Sequence, residues 1–243
     1  MMRWSSYLLI ILSSMSGFCA DVASPGGRSN VGSQSNIMSS PMLQGYRPEA
    51  TVVSCLLEKG GVSAEQAKES GKAIAEALSK ISFQRIEFNE VALIHFLTQG
   101  IAESAGGKHL TQIGNQPFDK KGFGFIQVTG PYNLMVAAKC MNKLQPPGLG
   151  NGVQTQPEMC IGNSGDPMKS MLASLCWWRN SIVEVNKHRK ISLDLSEESA
   201  ESIHEVVNAG CIDKPVTGGE AQIKARKEIF NNVKSGAREC KLL

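Results

Sequence analysis

The sequence predicts a mainly α-helical fold with one small β-hairpin. Two observations support this prediction. Apolar residues recur at helical spacing in successive segments after Ser63, whereas one stretch, GFGFIQVTGPYN at residues 122–133, alternates large apolar residues with small ones between glycines. With 243 residues, the chain is long enough to bury one sizeable core. We therefore expect a single folded domain.

The first two predicted helices differ in how much of their surface is apolar. Ser63 and Gln66 form a capping box before residues 64–80, which carry one apolar stripe. Asn89 is the predicted N-cap of a second helix over 90–102, which is apolar on nearly all sides. A helix of that kind belongs in the centre of a fold.

The remaining elements follow from alternation and from capping signals. Phe123, Phe125 and Val128 alternate with small or polar residues, so a short strand or hairpin is expected there. Asp166 followed by Pro167 marks the start of a long helix. Helices are predicted over residues 132–141, 167–186, 197–208 and 219–234.

The N-terminal segment has the features of an export signal. MMRWSSYLLIILSSMSGFCA, residues 1–20, places an Arg before an apolar run that is too short to span a bilayer. We expect a secreted or periplasmic protein without a stable membrane span. Cys19 raises the option of lipidation, although Phe18 before it is unfavourable. Residues 21–48 are predicted to be a flexible leader, and residues 49–243 the folded domain.

The number and spacing of the cysteines and the net charge limit the kinds of protein that this chain can be. Without the signal segment, the chain keeps Cys55, Cys140, Cys160, Cys176, Cys211 and Cys240. An even set in an exported chain predicts three disulfides. No cysteine and histidine cluster has metal-ligand spacing, so neither a metal site nor another cofactor is expected. The net charge of +3 is too weak to indicate a nucleic-acid partner.

Glu103 closes the apolar helix and is the first candidate for chemistry. No ionisable residue lies between His95 and Glu103. The helix dipole disfavours a carboxylate at this end, and burial penalises its charged form. Both effects predict a raised pKa for Glu103 and hence a proton donor, as glycoside cleavage requires. Taken alone, a solvated surface glutamate is the competing interpretation.

Four segments together resemble a known family. FLTQGIAESAGG resembles the FLAQIAHESGG helix of family-19 chitinases and their endolysin relatives, and GFGFIQVTGPYN resembles their GRGPIQLTGRYNY element. DPMKSMLASLCWW is similar to their helix with DP and tryptophan, and VVNAGC to their IINGG turn. The segments occur in the family's order over most of the domain. The resemblance implies a lysozyme-like fold with a substrate cleft.

The resemblance also assigns roles to residues. Glu103 takes the place of the proton donor, and Gln127, Thr129 and Asn133 match polar positions that line the sugar subsites. Asn208 matches the Asn of the turn that faces the cleft. For Gln127, a side chain that ties down a loop is the alternative.

Aromatic residues and two cysteines complete these assignments. Phe125 and Tyr132 are either sugar-stacking platforms or core residues, whereas Trp177 and Trp178 are expected to pack in the core. The resemblance further implies a disulfide between Cys211 and Cys240.

The chain departs from the family most at the second catalytic carboxylate. Thr111 and Gln112 stand where a glutamate is expected, and the first acid after Glu103 is Asp119. We predict Asp119 as the second catalytic residue. Glu90 or Glu158 could replace it from another element, or the enzyme could work with Glu103 alone, as lytic transglycosylases do.

Two further departures follow. Ala102 replaces the family's His, and Phe123 replaces its Arg. These changes leave open a catalytically inactive protein that binds glycans.

The sequence thus predicts an exported glycoside hydrolase of the lysozyme type. Its expected partner is a β-1,4-linked amino-sugar polysaccharide, preferably peptidoglycan, acetylated or N-deacetylated, and the protein is expected to be a monomer. A lytic transglycosylase, a chitinase or chitosanase, and an inactive glycan-binding protein are the alternatives.

Overall fold

A computed structural model describes residues 46–81, 83, 87–183, 193–209 and 219–243. The predicted signal segment and nearly all of the leader lie outside these ranges. The described chain is mainly helical with one two-stranded sheet, which confirms the predicted mainly helical class with a small hairpin. The lysozyme-like fold and its substrate cleft stay predictions. Its α-helices are α1 (Ala50–Lys59), α2 (Ala64–Lys80), α3 (Glu90–Ser104), α4 (Pro131–Met141), α5 (Pro157–Ile161), α6 (Pro167–Trp178), α7 (Glu197–Ala209) and α8 (Gly219–Gly236).

Helix α3 is the central helix, as its composition predicted. Residues 92–101 are all buried, and α3 contacts α1, α7 and α8. Oδ1 of Asn89 accepts a hydrogen bond from the Ala92 amide at 3.0 Å, which confirms the predicted cap. At the other end, Ala105 adopts a left-handed conformation with φ of 51° and ends the helix just after Glu103.

The small sheet packs directly on α3. Its strands β1 (Gly122–Phe123) and β2 (Val128–Thr129) are antiparallel, and the predicted hairpin is confirmed. A Cβ added at Gly100 would lie 1.8 Å from Cε1 of Phe125, so only glycine allows this contact. The absence of a side chain at Gly100 therefore brings the hairpin turn against the last turns of the central helix.

Helix α6 begins as predicted and changes geometry at its end. Oδ1 of Asp166 accepts a hydrogen bond from the Met168 amide at 2.9 Å, so the predicted cap is confirmed. Trp177 and Trp178 are both buried, and Trp178 meets Phe96 edge to face at 5.5 Å between ring centroids. After Trp178 the chain continues as a π-helix over Arg179–Val183.

One local prediction is wrong, and one helix was not predicted. The side chain of Ser63 forms no capping hydrogen bond, and Gln66 instead donates to Oγ of Ser70 at 3.0 Å. Helix α1 was not predicted, although it buries Val53, Leu56 and Leu57 at helical spacing. The β-branched residues that open this segment favour a strand in isolation, and packing against α2 decides otherwise.

The disulfides differ from the predicted pairing. Cys240 is bonded to Cys55, with Cα atoms 5.6 Å apart, so the predicted bond between Cys211 and Cys240 is wrong. The reason is that α1 packs against α8 and brings Cys55 to the end of the chain. A second disulfide joins Cys140 to Cys176. Cys160 is a free thiol, so a third bond involving it is not formed, and Cys211 lies outside the described residues. Two disulfides are typical of proteins from oxidising compartments.

Two further properties concern the described residues alone. None of their helices combines the length and apolar character needed to cross a membrane. Within the same ranges, no three His, Cys, Asp or Glu side chains are grouped so that they could hold a metal ion.

Candidate functional site

The carboxylate of Glu103 is held by an arginine from another helix. Nη2 of Arg226 on α8 donates to Oε1 of Glu103 at 2.5 Å. The side chain of Glu103 is 20% exposed and that of Arg226 is 11% exposed, so the ion pair is mostly shielded from water. The sequence predicted apolar surroundings for this carboxylate, and the structure places a guanidinium against it.

Gln99 and His204 surround the arginine. Nη1 of Arg226 donates to Oε1 of Gln99, one helical turn before Glu103 on α3. His204 on α7 is buried near the same guanidinium. A cavity of about 10 Å³ between Gln99, Glu201, His204 and Arg226 has room for one water molecule.

The electrostatics of this cluster keep His204 neutral. Burial, and next the positive charge of Arg226, lower the pKa of His204 to about 3. The imidazole therefore adds no second positive charge beside Arg226 near neutral pH. Glu103 supplies the negative charge that the guanidinium needs.

Gln127 acts as a tie between the hairpin and the segment after Glu103. Its Nε2 donates to the backbone oxygens of His109 and Gly124, each at 3.0 Å. Oε1 of Gln127 is buried without a hydrogen-bond partner among the described residues, and the backbone is left-handed with φ of 54°. Gln127 therefore ties down the loop, which was the alternative to sugar binding. Its Oε1 is a buried acceptor that the described residues do not use.

Thr129 and Asn133 also bond to the backbone. Oγ1 of Thr129 donates to the Gln127 oxygen at 2.8 Å, and Nδ2 of Asn133 donates to the Thr129 oxygen at 2.8 Å. These side chains fix the join between β2 and α4. Their part in sugar binding stays a prediction.

Of the remaining predicted residues, Phe125, Tyr132 and Asp119 lie around the hairpin, and Asn208 lies on α7. Phe125 is fully buried and packs on Phe96 at 5.3 Å, so it is a core residue and not a stacking platform. Tyr132, in contrast, is 59% exposed. Asp119 is exposed on a 3-10 turn before β1. Asn208 lies near the end of α7, and its side chain is outside what the structure describes.

A second carboxylate lies beside the segment that follows Glu103. Oγ1 of Thr111 donates to Oε2 of Glu158 at 2.6 Å. Thr111 forms an isolated bridge to Phe123 of β1, so Glu158 on α5 sits at the edge of the small sheet. The sequence names Glu158 among the possible replacements, but only packing brings it to Thr111.

A larger cavity lies on the same segment. It has a volume of about 260 Å³ and is bounded by Ser70 of α2, Lys108, Leu110, Asn163 and Met171 of α6. Neither Glu103 nor Glu158 lines it.

Arg226 is the residue that sequence reasoning missed. It lies in KARKEIF with Lys224 and Lys227 beside it, and nothing local distinguishes it from these neighbours. Its role depends on the contact between α3 and α8, which no local signal predicts.

The chain matches no family model, and no curated protein or solved structure is significantly similar to it.

Proposed function

We propose that this protein is an exported glycoside hydrolase of lysozyme-like fold that cleaves a β-1,4-linked amino-sugar polymer, with Glu103 as general acid. The observation that carries the proposal is the placement of Glu103. Glu103 lies in the last turn of the buried helix α3, and its side chain is partly exposed. Its Oε1 is held by Nη2 of Arg226 at 2.5 Å. A buried helix supplies the rigid support that a catalytic group needs.

The two oxygens of Glu103 have different surroundings. Oε1 accepts from Arg226, whereas the described residues give Oε2 no hydrogen bond. In the proposed reaction Glu103 takes up a proton on Oε2 before cleavage, while Oε1 keeps its hydrogen bond from Arg226. Transfer of that proton to the glycosidic oxygen assists cleavage of the bond between this oxygen and the anomeric carbon.

The segments around the hairpin support the proposed substrate class. Tyr132 offers an exposed ring for the apolar face of a sugar, and Asn133 and Thr129 lie beside it. The two disulfides agree with a protein that acts outside the cytoplasm. Peptidoglycan, acetylated or N-deacetylated, is the proposed substrate, and chitin or chitosan would use the same chemistry.

Water must be activated on the opposite face of the sugar if the reaction is an inverting hydrolysis. The sequence predicts Asp119 for this role, with Glu90 or Glu158 as alternatives, and Glu158 accepts a hydrogen bond from Thr111 at the edge of the sheet. A lytic transglycosylase is the second candidate function. It is favoured by Thr111, which provides no acid at the position where the family carries one.

Clearance of purified cell walls tests the proposal. Wild-type protein should reduce the turbidity of native or chemically deacetylated walls, and Glu103→Gln should lower the rate by about 10²- to 10⁴-fold. Glu65→Gln, an exposed change on α2, is the matched control and should keep the wild-type rate.

The clearance assay can contradict the proposed function, and product analysis identifies the reaction. If wild type clears neither wall preparation, or if Glu103→Gln clears as fast as wild type, the protein is not this enzyme. Mass spectrometry of the products separates the two candidate reactions, since only a transglycosylase produces anhydro ends.

A further inference from the structure

The cavity of about 260 Å³ is bounded by three parts of the chain that are far apart in sequence. They are α2, the 107–110 segment that follows α3, and the residues that lead into and begin α6. Its buried lining residues are Ser70, Gly107, Leu110 and Met171. The other lining residues are exposed or half-buried and mostly polar or charged. The cavity therefore has a buried base and a rim that solutes in water can reach.

The base of the cavity is fixed by close packing around Gly107. A Cβ added at Gly107 would lie 2.5 Å from Oγ of Ser70 on α2 and 3.2 Å from Cε of Met171 on α6, and the backbone here has φ of 97°. Both observations require glycine at this position. Oγ of Ser70 also donates to the Gly106 oxygen at 2.6 Å. The 106–107 backbone is thus held between two helices, and the cavity is a defined product of their packing.

The α2 side of the cavity presents hydrogen-bond acceptors. Gln66 and Glu69 are three residues apart and share one face of the helix. Nε2 of Gln66 donates to Oγ of Ser70 at 3.0 Å, which leaves Oε1 of Gln66 as an acceptor. Neither this oxygen nor the carboxylate of Glu69 has a partner among the described residues. This side therefore suits an ammonium group.

The opposite elements present hydrogen-bond donors. Oδ1 of Asn163 accepts from the amides of Leu110 and Thr111 at 2.8 and 3.3 Å, so its Nδ2 is left as a donor. These bonds also hold Asn163 against the segment that carries Lys108. Pro167 begins α6, and the N-terminus of a helix carries a partial positive charge. Lys108, Asn163 and this helix end therefore suit a carboxylate.

Glu69 and Lys108 line the same cavity but do not pair with each other. Neither side chain forms an ion pair with any other residue that the structure describes. A ligand with a single charge would be attracted by one of them and repelled by the other, whereas a ligand with both charges satisfies both. The volume is below the range of about 300 to 1,000 Å³ that is typical of sites for drug-sized molecules, so the ligand should be small.

We propose that this cavity binds a small zwitterion, a molecule whose ammonium and carboxylate groups are separated by a few bonds. Free α-amino acids and short peptides both have this chemistry. The ammonium group binds to Glu69 and Oε1 of Gln66, and the carboxylate binds to Lys108 and Nδ2 of Asn163. Glu103 does not line the cavity, so the inference goes beyond the proposed hydrolase function and does not depend on it.

Isothermal titration calorimetry of the whole protein tests the site with alanine and with alanyl-alanine. Wild type should show saturable binding of at least one probe. Binding of alanine alone identifies a site for free amino acids, whereas tighter binding of alanyl-alanine identifies a site for peptides. N-acetyl-alanyl-alanine lacks the ammonium group and alanyl-alanine amide lacks the carboxylate, and for a peptide site each should bind about tenfold more weakly. For an amino-acid site, N-acetyl-alanine and alanine amide are the corresponding probes.

Two variants assign each charge of the ligand to its partner. Glu69→Gln should bind the zwitterion about tenfold more weakly and should no longer distinguish it from the acetylated probe. Lys108→Gln should show the same loss and should no longer distinguish the zwitterion from the amide. Both side chains are exposed, so the variants should fold as wild type does, which circular dichroism checks. Glu76→Gln, an exposed change on α2 away from the cavity, is the matched control and should keep the wild-type affinity.

Three results would overturn the inference. Wild type could fail to bind either probe, or it could bind the acetylated and amide forms as tightly as the zwitterion. If only one of the two substitutions weakens binding, or neither does, the cavity does not recognise a zwitterion through Glu69 and Lys108. Cell-wall clearance plays no part in these measurements, so failure of either proposal leaves the other standing.

Discussion

Arg226 on α8 donates a hydrogen bond to Glu103 on α3 at 2.5 Å, across 123 residues of sequence. Both side chains are mostly buried, and removal of one partner leaves the other charge uncompensated. Arg226→Met keeps the apolar stem and deletes the charge. We expect it to lower the free energy of unfolding by about 3 kcal/mol, measured by urea denaturation.

An exposed ion pair provides the control for this change. Lys59 and Glu239 are paired with side chains 39% and 66% exposed. Lys59→Met should cost less than about 1 kcal/mol, because solvent screens such pairs. Equal losses in Arg226→Met and Lys59→Met would contradict the importance of the buried pair.

His204 makes the stability of the protein depend on pH. Its pKa is lowered to about 3 in the folded protein, from 6.5 for the free side chain. Between these values the unfolded chain binds the proton and the folded one does not. The contribution of neutral His204 to the free energy of unfolding is therefore fully present above pH 6.5. It is lost as the pH falls toward 3, by at most about 1.4 kcal/mol per pH unit.

The measurement compares how steeply the free energy of unfolding falls with pH in wild type and in variants. Urea denaturation of His204→Gln at several pH values between 4 and 7 should give a shallower loss of stability than wild type. His109→Gln, at a position that is only partly buried, is the matched control and should keep most of the slope. An unchanged slope in His204→Gln would show that the residue does not titrate between the two states as predicted.

The two disulfides should stabilise the protein to different degrees. Cys55 and Cys240 are separated by 185 residues, Cys140 and Cys176 by 36. Because a crosslink restricts the unfolded chain more when it closes a longer loop, the double alanine variants should lose about 5 and about 4 kcal/mol, respectively.

Denaturation of both double variants checks this order. Cys160→Ala, which removes the half-buried free thiol, should change the stability by little. A loss in Cys160→Ala comparable with that of either double variant would contradict the assignment of Cys160 as unbonded.

Gln127 should be sensitive to the type of substitution and not only to its size. Gln127→Glu places an acceptor where the amide donates to the oxygens of His109 and Gly124, so it should be the most destabilising change. Gln127→Ala loses both hydrogen bonds. Gln127→Gly loses them too, but relieves the left-handed backbone by about 1 kcal/mol. We therefore expect stability to decrease in the order wild type, Gly, Ala, Glu, by thermal and urea denaturation.

Local signals were sufficient for much of the fold. Asn89 and Asp166 cap their helices as predicted, because a cap involves only the next few residues. The alternation around Phe123 and Val128 likewise predicted the hairpin. Helix α1 shows the limit, since its β-branched residues mask the helical spacing of its buried face.

By itself, the sequence determined the central helix, the hairpin and the position of Glu103 at the end of α3, because periodicity and capping act within a few residues. Only the tertiary structure decided which groups surround that carboxylate. Arg226 reaches Glu103 because α8 packs on α3, and Cys55 reaches Cys240 because α1 packs on α8. Contacts of this kind join residues that are far apart in the chain, so they depend on how whole helices pack and have no signature in any one segment.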